Sequence, residues 1–211
     1  MVEISSPPTS VLVVRLGAIG DVLRVLPAVR RIRRDLPHAK IGWAVDRRVY
    51  PVLAGNPNVD RFHILERDDL LAGPVSLVRE FRRFRRELRE ESYEIALDFH
   101  GRLRSGVVAR LSGAPARIGY SSDAATEGNH LFNNIHVRLA DPGANRVIRF
   151  LELLSPLGLD TRWDASESGL YVSPELRKSA ERWYEESKRP ELAAYPGCSA
   201  GRARERWPEE K

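Results

Sequence analysis

The sequence predicts an α/β fold, a doubly wound parallel sheet of the Rossmann type. Three observations carry this reading. Short apolar runs rich in β-branched residues alternate along the chain with stretches of helical periodicity. The first run passes through a glycine turn directly into a helix, the junction around which such sheets build a binding crevice. A chain of 211 residues, 42% hydrophobic, is also large enough to bury a core on both faces of the sheet.

Residues 1–10, MVEISSPPTS, read as a flexible leader with no basic n-region and no apolar core. Val11-Leu12-Val13-Val14 is the first strand, too short for a helix and apolar enough to be buried on both sides. Arg15 and Asp21 interrupt the apolar run well short of the ~18 residues that would span a bilayer, so the chain is expected to stay in the cytoplasm. After the break at Gly17 and Gly20, Val22, Leu23, Leu26, Val29 and Ile32 recur at helical spacing, with Arg24, Arg30, Arg31, Arg33 and Arg34 opposite. Pro27 makes the first turn irregular or delays the regular helix to Leu26, which predicts an exposed Asp21 in a distorted turn.

The spacing Gly17-Ala18-Ile19-Gly20-Asp21 is neither a G-x-G-x-x-G fingerprint nor a Walker A loop. A bound NAD or ATP is therefore not implied, and Asp21 would repel a phosphate placed on this helix N-terminus. Two roles stay open for Asp21. One is an N-cap, contributing about 1 kcal/mol. The other is a carboxylate that takes a proton from a substrate hydroxyl, a general base supplying roughly 10²- to 10⁴-fold in rate.

Residues 41–46 and 59–65 are the next two strands, joined by a short helical stretch around Tyr50 to Ala54 and the turn Gly55-Asn56-Pro57. Residues 76–92 form an amphipathic basic helix, with Leu77, Phe81, Phe84 and Leu88 on one stripe and six arginines around it. Those arginines are either a solvated face diluted by Glu80, Glu87, Glu90 and Glu91 or a footing on an anionic membrane surface or phosphorylated glycolipid. No nucleic-acid-binding motif accompanies them. The basic excess belongs to the first half of the chain, with net charge +6 up to residue 110 and −1 after it.

Residues 93–98 give a strand ending at Asp98, followed by a turn through His100-Gly101 and a helix carrying Leu103, Val107, Val108 and Leu111. Every strand of a parallel sheet ends on one side, so this second mouth shares an edge with Asp21. Asp98 reads as structural, and His100 as a turn residue or a ligand contact. Ser105, His100 and Asp98 do not make a hydrolase triad, because no G-x-S-x-G elbow supports one. Residues 116–120 are a further strand, and VIRFLELLSPLG a further helix. Ser173 and Pro174 open a last helix. The lone Cys198 excludes an internal disulfide and a cysteine-based metal site.

The stretch VLVVRLGAIGDVLRVLPAVRRIRRDLPHAKIGWAVD resembles the opening of the family 9 glycosyltransferases, the ADP-heptose:lipopolysaccharide heptosyltransferases. The resemblance implies a GT-B enzyme with two Rossmann-like domains, of which residues 11–168 are the N-terminal, acceptor-binding one. Residues 169–211 would be the linker helix and the start of the donor-binding domain. It implies an inverting transfer of heptose from ADP-heptose to the lipopolysaccharide inner core, of the Kdo-lipid A type, with Asp21 as base and with neither metal nor cofactor. Gly17, Ala18, Ile19, Gly20, His100, Gly101, Arg104 and Ser105 fall on the acceptor side. His100 stands where Gln is usual, Thr126 where Arg is frequent, and Asn145 where His is common.

The ending PGCSAGRARERWPEE resembles the donor-side motif, which places Ser199, Arg204 and Arg206 toward the nucleotide, with Glu205 where Lys is usual. A peripheral contact with the cytoplasmic face of the inner membrane is left open. The alternative is a truncated or inactive fragment that at most binds the acidic glycolipid acceptor without turnover.

Overall fold

The computed structural model describes residue 4 and residues 6–66, 73–164 and 168–186. Two compact units divide the chain, Met1–Tyr171 and Val172–Lys211. In the first, six strands run β1 (Ser10–Val14), β2 (Lys40–Asp46), β3 (Arg61–Leu65), β4 (Ile95–Asp98), β5 (Ala116–Tyr120) and β6 (Ile135–Val137). They form one sheet of order β3-β2-β1-β4-β5-β6. Every neighbouring pair is parallel. This is the doubly wound order, in which the connections reverse direction between β1 and β4.

The helices are α1 (Ile19–Asp35), α2 (Pro74–Glu90), α3 (Leu103–Ser112) and α4 (Arg146–Glu152). Side-chain alternation along β1 assigns them to faces. Val11 and Val13 pack with Val22, Val25, Val29 and Ile32 of α1 and with Phe150 and Leu151 of α4. Leu12 and Val14 pack with Phe84 and Leu88 of α2 and Val108 and Ala109 of α3. β1 is buried on both faces, as its β-branched run predicts. Between β2 and the strand edge at β3, a Cβ on Gly42 would overlap the hydroxyl of the buried Tyr93. That hydroxyl lies 2.8 Å from His63 Nε2.

Five details differ from the sequence reading. α1 begins at Ile19 and runs through Pro27, so Asp21 sits inside a regular first turn. The N-cap position is Ala18, and no side chain caps it. Arg31, assigned to the solvent face of α1, is buried and donates to the Asp160 carbonyl at 2.7 Å. On α2 the buried residues are Glu80, Phe84 and Leu88, while Leu77 and Phe81 are exposed. Glu80 is held there by Arg83 and by the Glu66 backbone N–H. β6 escaped the sequence reading because three residues are too few for a period of two to register.

In the second unit, α5 (Pro174–Glu186) is capped by Ser173, whose Oγ accepts from Leu176 N at 3.2 Å. Ser199, Arg204 and Arg206 lie outside the described residues. Among the described residues no helix is long and apolar enough to cross a membrane.

Candidate active site

A cleft of about 530 Å³ opens where β1 and β4 end, at the point where the strand order reverses. The segment after β1 contributes Arg15, Gly17, Ala18 and Asp21, and the segment after β4 contributes Phe99, His100, Gly101, Arg102 and Arg104. β5 adds Tyr120, its following loop Thr126, and α4 adds Arg146, Arg149 and Phe150. Six lining arginines face two lining carboxylates, Asp21 and Asp46, so the cleft is built for an anion.

Asp21 is the best-anchored group in it. Its Oδ2 accepts from Arg15 Nη2 at 2.5 Å, and its Oδ1 accepts from Arg24 Nη1 at 3.1 Å and Arg146 Nη1 at 2.5 Å. Burial alone would raise this carboxyl, but the charge of Arg15, with the hydrogen bonds and charge of Arg146 and Arg24, outweighs it. The group is held below the usual carboxylate range. The anion also sits in the first turn of α1, where the helix dipole favours it.

Arg15 fixes the geometry from below. It is buried, donates from Nη1 to the Phe99 carbonyl at 2.9 Å, and stacks 5.5 Å from the centre of the Phe150 ring. Burial lowers its pKa, opposed by Asp21, yet a guanidinium stays protonated. The turn after β4 is held by Asp98, which is fully buried. Its Oδ1 accepts from the His100 and Gly101 backbone N–H groups, and its Oδ2 from Ser105 Oγ at 3.0 Å and Asn129 Nδ2 at 2.6 Å. Gly101 has φ +68, and a Cβ there would lie 3.0 Å from the Tyr120 ring, so only glycine fits this turn.

Four buried polar atoms of cleft residues have no partner among the described residues: Arg15 Nε, His100 Nδ1, Tyr120 Oη and Arg149 Nε. A hydroxylated ligand would satisfy them. Burial, reinforced by Arg15, Arg104 and Arg102, pushes His100 down to about 3, so the imidazole is neutral. Burial pushes the Tyr120 phenol up, so it keeps its proton as a donor. Among the described residues there is no group of three or more His, Cys, Asp or Glu that could hold a metal ion.

Of the residues expected on the acceptor side, the cleft gathers Gly17, Ala18, Asp21, His100, Gly101 and Arg104. Ile19 and Gly20 do not line it, because they open α1 and face outward. Ser105 is fully buried against Asp98 and supports the turn from behind. Asn145, the departure from His, caps α4 by accepting from Val147 N at 2.9 Å. Thr126 ties its loop to the Gly101 carbonyl at 2.9 Å through its backbone N–H. Sequence reasoning missed Arg15, Tyr120, Arg146 and Arg149. Arg15 alone had a signal, a charge directly continuing a buried strand.

The fold is that of one Rossmann-like domain of a GT-B glycosyltransferase. The family model "Glycosyltransferase family 9 (heptosyltransferase)" matches residues 81–211, and the chain belongs to that family. Lipopolysaccharide heptosyltransferase 1 of Pseudomonas aeruginosa is 29% identical over 129 residues, 56% of this chain and 34% of that protein. The lipopolysaccharide core heptosyltransferase OpsX of Haemophilus influenzae is 24% identical, over 83% of this chain and 54% of its own length. The structure of the E. coli heptosyltransferase WaaC with ADP-2-deoxy-2-fluoro heptose superposes with TM-score 0.66 at 24% identity, covering 74% of this chain and 50% of that one. The chain thus spans between about a third and a half of these relatives.

Proposed function

We propose that this chain is the acceptor-binding half of an inverting heptosyltransferase that moves heptose from ADP-heptose to the lipopolysaccharide inner core, on the cytoplasmic side. The observation that carries this reading is the ionised Asp21 standing in a cleft lined by arginines, at the switch point of the sheet. The acceptor hydroxyl gives its proton to Asp21 as its oxygen bonds to the anomeric carbon of the donor, and the bond from that carbon to ADP breaks from the opposite face. The arginines orient an acidic acceptor such as a Kdo sugar. His100 and Tyr120 supply hydrogen bonds to its hydroxyls. Positive charge facing the leaving ADP would come from the donor side, where Ser199, Arg204 and Arg206 are the residues proposed. Names of the relatives and the ligand of the WaaC structure support donor and acceptor class.

Calorimetric titration tests this with ADP-heptose and, separately, a soluble Kdo-terminated core fragment. The expected result is acceptor binding at micromolar to millimolar strength. Acceptor binding without turnover, even in the presence of ADP-heptose and a donor-binding half, would select the alternative, a fragment that recognises the glycolipid and does no chemistry. No binding of either ligand would refute the assignment.

We further propose that α2 rests on an anionic membrane surface. α2 begins at the edge where the strands end, on the side of the cleft mouth. Val75, 80% exposed, and Val78 lie among Arg79, Arg82 and Arg86 on its outer face. Among the described residues Arg79 and Arg82 make no ion pair, unlike Arg83, which is held by Glu80 and Glu87. At ~1 kcal/mol for each basic residue near the surface, Arg79→Glu with Arg82→Glu should reduce co-sedimentation with phosphatidylglycerol vesicles by more than tenfold. Equal sedimentation of wild type and variant would leave these arginines as a solvated face.

A further inference from the structure

Asp21 serves as base only if one of its oxygens can meet a hydroxyl, and both already accept from arginines. Oδ2 is bound by Arg15, which is buried and immobilised by the Phe99 carbonyl. Oδ1 is bound by the two exposed guanidinium groups, those of Arg24 and Arg146, whose side chains are 50% and 56% exposed. One carboxylate oxygen has two lone-pair sites, and Oδ1 has filled both. A hydroxyl that approaches Oδ1 must displace one of them. Arg24 lies one turn along α1 and does not line the cleft. Arg146 reaches across from α4, 125 residues away in sequence, and lines the cleft itself.

Arg146 also occupies the first position of α4, where a helix dipole disfavours a cation, so its placement serves the ion pair and not the helix. We propose that Arg146 is a displaceable cap on Asp21, a positioning residue that closes Oδ1 in the empty cleft and transfers to the acceptor's anionic group on binding. This rests on the acceptor reading above. The transfer exchanges one carboxylate partner for another, so Arg146 keeps its charge compensated throughout. It opens Oδ1 only when an acidic acceptor is present, and a neutral sugar of the same shape leaves the cap shut. Removing the cap also relaxes the force that holds Asp21 low, which strengthens it as a base when the hydroxyl arrives. The other charged or titratable groups beside the pair or lining its cleft are Arg15 from the end of β1, Arg24 from α1, Asp46 and Arg48 from the end of β2, His100, Arg102 and Arg104 from the segment after β4, Tyr120 from β5 and Arg149 from α4.

The test is carbon-13 NMR of the Asp21 carboxyl in the full chain, with Arg146→Gln and Arg146→Lys. In the free protein the Asp21 titration midpoint should rise in Arg146→Gln and rise less in Arg146→Lys. An unchanged midpoint overturns the cap. Adding the Kdo methyl glycoside should move the wild-type midpoint up to that of Arg146→Gln and leave the variant's where it was, with binding to the variant about tenfold weaker. The uncharged methyl ester of the same glycoside should move neither. Glycoside that binds wild type without moving the midpoint overturns the displacement. Absence of any glycoside binding, with the free-protein difference intact, overturns the acceptor reading and the displacement that rests on it, while the Arg146–Asp21 contact stands.

Discussion

Asp21→Asn, assayed with ADP-heptose and a donor-binding half, should lower the transfer rate about 10²- to 10⁴-fold and leave acceptor affinity within a few-fold, because it removes the proton acceptor and keeps an oxygen for the buried Arg15. Asn is the informative choice. Its carbonyl oxygen can still accept from Arg15 Nη2, which sits 2.5 Å from Asp21 Oδ2 in the wild type. Asp21→Ala would leave the buried Arg15 guanidinium without its counter-ion and confuse lost chemistry with lost stability.

The pH dependence supplies a second readout. Asp21 is held below the usual carboxylate range in the free protein, so the acid limb of kcat/KM should lie below the ordinary carboxylate pKa, and that of kcat, with Arg146 displaced, above the limb of kcat/KM. The stabilising contribution has the same sign. A depressed folded-state pKa adds stability above the unfolded value, and this is lost as pH falls through the folded one. Transfer by Asp21→Asn at more than a tenth of the wild-type rate would remove Asp21 from the mechanism.

Asp98→Ala should destabilise the first unit by about 3 kcal/mol or more, because four donors lose their acceptor inside a site that water does not reach. For a chain of this size that corresponds to roughly 6–12 °C in melting temperature. Asp98→Asn keeps the shape but turns a donor toward Ser105 Oγ or Asn129 Nδ2, so it should fall between wild type and Ala. Ser105→Ala, which removes one partner of Oδ2, should cost about 1 kcal/mol.

The same carboxylate orders the His100–Gly101 turn, so acceptor affinity should drop with Asp98→Ala even at temperatures where the protein is folded. A melting temperature for Asp98→Ala within about 2 °C of wild type would show that water or neighbouring groups replace its hydrogen bonds.

Much of the architecture was legible in the chain itself. The strand at Val11 to Val14, the glycine turn and the helix after it follow from a local change of period from two to 3.6, which needs no knowledge of neighbours. Asp21, His100 and Gly101 were legible because they follow strand ends, and a parallel sheet brings all strand ends to one edge, while Arg104 was named through the family resemblance. Pro27 misled the reading of α1. A proline removes only its own N–H, and the burial of Val22, Val25, Val29 and Ile32 on both sides of it outweighs that loss. Leu77 and Phe81 misled the reading of α2 in the opposite sense, since periodicity names an apolar stripe without saying how far along the helix anything covers it.

By itself the sequence determined the order and type of the elements, the buried first strand and the carboxylate after it, because these depend on spacings of a few residues. Only the tertiary structure decided which cations meet that carboxylate. Arg15, Arg24 and Arg146 converge on Asp21 from a strand end and two helices, and Tyr120 and Arg149 join them from β5 and α4. Arginines are frequent throughout this chain, so nothing local marks those that will be paired. Their selection is set by the strand order that lays α4 against α1, a long-range outcome of packing both faces of the sheet.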